Sequence, residues 1–154
     1  MQTSYKAICY VQADLLSSKQ MSQMEDAFTR LYQKHIRSNA KVKVIWLTFE
    51  AGQAFVEYRE SAVPTVMAPV NEHLSEDIRA PFLYDLLDTW CDLSGCERDK
   101  VVLTAPDQSL ADAFLTMNQE RITKSVRWWE MMKFYARLVT AKIKHGHLKT
   151  SSNF

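Results

Sequence analysis

The chain writes one pattern of apolar and polar positions twice. Residues 5–12 alternate, with Tyr5, Ala7, Cys9 and Val11 on one side and Lys6, Ile8, Tyr10 and Gln12 on the other. Both faces of the strand they predict carry apolar side chains, as in a covered sheet. Ser17-Ser18-Lys19-Gln20 then reads as a capping box, with Ser17 as cap and Gln20 reaching back. Met21, Met24, Phe28, Leu31 and His35 follow at helical spacing beside Ala27, Tyr32 and Ile36, so the stripe predicts a helix laid on a sheet. Val42, Val44, Trp46 and Leu47 begin a second strand that ends near Phe49. After a turn at Ala51-Gly52-Gln53, FVEY predicts a short strand or hairpin arm.

After Pro64 the pattern restarts. TVMAPV predicts a strand, with Pro69 at an edge or strand end because it removes a ladder donor. Ser75 caps the next helix, and Glu76 and Asp77 sit at the positive end of its dipole. Ile78, Phe82, Leu86, Trp90 and Leu93 form its apolar face. Pro81 in the second turn predicts a kink or a delayed start, and Gly95 a C-terminal stop. Val101, Val102 and Leu103 supply the fourth main strand, ended by Pro106.

The last third departs from the repeat. Residues 119–145 predict one long helix, with Ile122, Val126, Trp129, Met132, Ala136, Val139 and Ile143 on its stripe and Trp128, Met131, Tyr135 and Leu138 widening it. So wide a face needs a large packing partner. The expected domains are a double β-α-β domain over 1–118 and a helical extension over 119–154, packed on the same domain or on a neighbouring subunit. Residues 119–154 hold eight Lys or Arg against two acids. Such asymmetry would suit nucleic acid or a membrane surface, but no strand platform interleaves aromatic and basic residues. Docking on the acidic remainder or on a neighbour accounts for it, so neither partner is expected.

Composition narrows the chemistry. With 154 residues, 47% of them hydrophobic, the chain can bury one core. Three glycines exclude a glycine-rich phosphate loop. No apolar run reaches the ~18 residues of a membrane span, and MQTSYKAICY lacks a basic-then-apolar leader. A cytoplasmic protein is therefore expected, with Cys9, Cys91 and Cys96 as reduced thiols. His145-Gly146-His147 offers two imidazoles without a third ligand, so no metal and no cofactor are expected.

The expected fold is α/β: two β-α-β units forming a four-stranded mixed sheet with two helices on one face, plus a long C-terminal helix. DAFTRLYQKHI, KVKVIWLTFEAGQAF and SEDIRAPFLYDLLDTWCDLSGCERDKVVLT carry a resemblance over about residues 5–108. They resemble the first helix, the second strand with its turn, and the second helix with its strand in the tautomerase superfamily. The likeness is to the 4-oxalocrotonate tautomerase and cis-3-chloroacrylic acid dehalogenase type, in its fused two-unit form. It implies a trimer and isomerase chemistry on small keto–enol carboxylic acids. In that family an N-terminal proline amine is the base or acid, and arginines hold the carboxylate.

This chain lacks the proline. Gln2 is large enough to discourage removal of Met1, and lining up the helix caps puts the proline position at Tyr5, inside the chain. The family's helix-1 His falls near Tyr32, and its basic pair near Asn71 and Leu74. Replacement of every expected catalytic type argues for lost or altered chemistry. The resemblance leaves Tyr5, Lys6 and Tyr32 as catalytic candidates, since a Tyr beside a cation can act as general acid, and Glu57, Arg59, Asn71 and His73 as substrate-binding candidates. Against it stands the plainer role of Tyr5 and Tyr32 as core or interface aromatics with bonded hydroxyls. Three readings stay open: a divergent isomerase without proline, a non-catalytic ligand-binding or scaffold protein of the same fold, and an unrelated dimeric α/β-barrel protein.

Overall fold

The computed structural model describes residues 3–120 and 124–151. The first unit is β1 (Ser4–Gln12), α1 (Ser18–His35) and β2 (Lys41–Phe49). β1 and β2 run parallel, from Ser4 opposite Lys41 to Gln12 opposite Phe49. α1 starts at the expected capping box: the Gln20 backbone N–H donates to Ser17 Oγ at 3.3 Å, and the Ser17 N–H donates to Gln20 Oε1 at 2.9 Å. FVEY opens a hairpin of β3 (Phe55–Val56) and β4 (Arg59–Glu60). Its two turn residues, Glu57 and Tyr58, have φ of 50° and 63°. Positive φ at both central positions matches the right-handed twist of the arms but strains non-glycine residues.

The second unit is β5 (Thr65–Met67), α2 (Glu76–Ser94) and β6 (Val102–Thr104), with β5 and β6 parallel. It joins the first through an antiparallel β1–β5 pair, Cys9 opposite Val66. Pro69 follows β5, where no ladder donor is needed. α2 runs through Pro81 from its start at Glu76, and Gly95 ends it in the left-handed conformation at φ 75°. α1 and α2 touch each other over the sheet. Tyr5, Ala7, Cys9, Val11, Val44, Trp46 and Val66 meet Met24, Phe28, Tyr32, Phe82, Leu86 and Trp90 in one buried core. On the other face Ile8, Tyr10, Ile45 and Leu47 are only half-buried.

One feature departs from expectation and one adds to it. The sheet has five strands, in the order β6-β5-β1-β2-β7. The extra edge strand β7 (Leu148–Ser151) pairs parallel with β2, Ile45 opposite Leu148. An edge strand of LKTS is held by its backbone ladder and carries no apolar alternation to betray it. The expected long C-terminal helix is present as α4 (Lys124–His145), and among the described residues a further helix, α3 (Gln108–Glu120), precedes it. Of the expected stripe, Ile122 and the side chain of Val126 lie outside the described residues. α4 packs chiefly on β7. Leu138 is buried, but Trp128, Trp129, Met132, Tyr135, Val139 and Ile143 are exposed. Among the described residues no helix is long and apolar enough to cross a membrane.

Candidate functional site

Alternation along β1 sends Tyr5 under the helices and Lys6 to the opposite, exposed face. The two candidates are sequence neighbours that cannot share a site within one subunit. Tyr5 instead meets Tyr32 from α1, ring centroids 4.8 Å apart, and Tyr32 meets Phe82 from α2 edge-on at 5.0 Å. The Tyr5 hydroxyl donates to Asn71 Oδ1 at 2.5 Å, and the Tyr32 hydroxyl donates to the Pro69 carbonyl at 2.8 Å. Both phenols thus tie the first unit to the segment that opens the second. Burial, and then the neighbouring Tyr5 and Cys9, push the Tyr32 phenol well above its usual range. Tyr32 remains a neutral donor fixed on a carbonyl.

Tyr5, Tyr32 and Asn71 are therefore brought together, while the other candidates lie apart. Among the described residues no hydrogen bond or ion pair links Lys6, Glu57, Arg59 or His73 to them. Glu57 forms part of the strained hairpin tip and Arg59 follows it. His73 is exposed at φ 54°, its backbone N–H donating to Asp107 Oδ2 at 3.2 Å. The same carboxylate receives Arg79 at 2.6 Å, and Glu72 accepts from Ser109 N at 2.6 Å and from its hydroxyl at 2.7 Å. These contacts tether the start of α3 to the loop before α2. Three cavities of about 340 to 520 Å³ lie elsewhere, none of them lined by Tyr5, Tyr32 or Asn71.

A second polar cluster escaped the sequence reading. Glu25 on α1 accepts from Trp46 Nε1 at 3.0 Å, and His147 Nδ1 lies 3.0 Å from the same oxygen. His147 Nε2 reaches Ser22 Oγ at 3.5 Å. A serine, a histidine and a glutamate in this order resemble a nucleophilic triad, but Ser22 sits in the fifth position of α1. Its neighbouring backbone N–H groups close helix hydrogen bonds and cannot receive an oxyanion. The cluster fastens β7 to the core. Glu25, an acid between the buried Met24 and Ala27 positions of α1, was the available signal. No group of three or more potential metal ligands occurs among the described residues.

The fold so defined, two β-α-β units sharing one sheet through antiparallel inner strands, is shared with several solved structures. A member of the cis-3-chloroacrylic acid dehalogenase family superposes with a TM-score of 0.59 at 16% identity, covering 66% of this chain and 73% of that one. A native fused 4-OT superposes with a TM-score of 0.55 at 11% identity, covering 66% and 85%. A wild-type fused 4-OT solved as an asymmetric trimer gives 0.57 at 11% identity, covering 66% and 85%. The shared portion is about the length of β1 through β6, so α3, α4 and β7 are extra to it in length. No family model matches the sequence, and no curated protein matches it.

Proposed function

We propose that this chain is a tautomerase-fold protein that serves as a homo-oligomeric, small-ligand-binding scaffold and does not perform proline-based isomerisation. One observation carries the reading: the position that aligns with the family's catalytic base is a buried tyrosine, 3% exposed, whose hydroxyl is spent on Asn71. A general acid or base must reach the proton it moves. Tyr5 and Tyr32 are packed against each other between the sheet and the helices, and Lys6 leaves from the far side of the sheet.

Assembly as a trimer is supported by three features. Fused 4-OT structures are trimers. The outer face of the sheet is only half-covered, and Phe55, Val56 and Tyr58 of the hairpin stand exposed, as do several apolar side chains of α4. Covering apolar surface at about 25 cal/mol per Å² drives such association.

The competing reading is a divergent isomerase of small keto–enol acids, favoured by the direct Tyr5–Asn71 contact between the two units. Ketonisation of phenylenolpyruvate, followed by ultraviolet absorbance, separates the two. The scaffold reading expects no rate above buffer. A rate well above buffer that falls in Tyr5→Phe or Lys6→Ala would overturn it and install the isomerase.

A further inference from the structure

α4 and β7 line an open cavity of about 520 Å³ against the start of α1 and Thr48 of β2, most of its wall coming from outside the doubled unit. Its charge is one-sided. Arg137 and Lys144 stand two turns apart on one face of α4, and Lys149 faces them from β7. No carboxylate lines the cavity. Among the described residues none of these three cations has an ion-pair partner, although Lys133, a turn before Arg137, is paired with Glu130.

Lys149 is the informative one. It is half-buried, whereas Arg137 and Lys144 are exposed, and a bound anion would supply the counter-charge that it lacks among the described residues. Ser18, the first residue of α1, adds its hydroxyl to the same wall. The first turn of α1 holds no acid, so no carboxylate there competes with an anion in the cavity. Met21 supplies an apolar wall. Glu25, which meets His147 of the cavity wall, is occupied by that imidazole and by the Trp46 indole.

We propose that this cavity binds the phosphate group of a small phosphorylated metabolite. Three cations from two directions exceed what a single planar carboxylate can use. They suit a compact dianion with oxygens on several sides, and a guanidinium beside ammonium groups is a common phosphate cradle. The volume lies within the range of small-molecule sites and leaves room for an organic body beside the phosphate. The site uses no residue of the Tyr5–Tyr32 cluster and stands whether or not the scaffold reading does.

The test is a heteronuclear NMR titration of the whole chain with ribose 5-phosphate and with ribose, at constant ionic strength. Saturable shifts confined to residues 136–151 and the start of α1 are expected with ribose 5-phosphate and absent with ribose. Arg137→Gln and Lys149→Gln should each weaken binding about tenfold, the loss of one charge-assisted contact. Lys149→Arg and Lys133→Gln should bind as the wild type does, which also shows that weakened binding is not misfolding. Shifts that never saturate, shifts equally large with ribose, or equal weakening by Lys133→Gln would each overturn the proposal.

Discussion

Tyr32 shows how one residue decides between chemistry and architecture. Its position on the stripe of α1 suits either a site or a core, and only its surroundings choose. The side chain is fully buried, and its hydroxyl satisfies the Pro69 carbonyl after β5. Tyr32→Phe removes the donor and strands that carbonyl, which should cost about 1–3 kcal/mol, read as a lower urea midpoint at unchanged m-value. An unchanged midpoint would mean that water replaces the phenol and that the cluster is more open than its packing indicates. Aligned helix caps point to Tyr5, Tyr32 and Asn71, and in the fold Tyr5 meets both of the others. Lys6 belonged to the same set by adjacency alone, and the period-two pleat of β1 sends it elsewhere.

Among the elements, α1 and α2 are joined by a charged clasp at one end. Asp85 of α2 accepts from Lys34 at 2.6 Å and lies 2.7 Å from His35 Nε2. Hydrogen bonds from Lys34 and then His35 hold its carboxyl below the ordinary 3.8. The unfolded chain therefore takes up this proton first as pH falls. The stabilisation is complete above the unfolded value and is lost as pH drops through the lower folded one. Asp85 is more than a third exposed, so water screens the clasp and Asp85→Asn should cost no more than about 1 kcal/mol at pH 7. Urea melts of both proteins should converge at pH 2, where the wild type has lost the same charge. A difference of equal size at both pH values would assign the effect to packing instead. The boundaries of these helices were legible because caps are local: Ser17 with Gln20, and Gly95, need only their neighbours.

For the whole molecule, the issue is what covers α4. Trp128 and Trp129 are 64% and 58% exposed, and Trp129 has Lys133 over its ring at 5.4 Å. Aromatic side chains of this size dominate the contacts in which they are buried. Trp129→Ala should therefore shift assembly toward smaller species in sedimentation velocity at micromolar concentration. An unchanged distribution would take α4 out of the interface and leave the outer sheet face and the hairpin to carry it.

What the sequence by itself determined was the doubled unit, its four main strands, its two capped helices and the two-sided apolar character of β1. These follow from alternation, helical spacing and capping, all of which operate within about twenty residues. Tertiary structure alone decided that β7 joins the sheet beside β2, that His147 closes on Glu25 from 122 positions away, and that Arg137, Lys144 and Lys149 surround one cavity. Those outcomes depend on backbone ladders and on charges brought together from distant parts of the chain, and neither leaves a periodic trace in the order of residues.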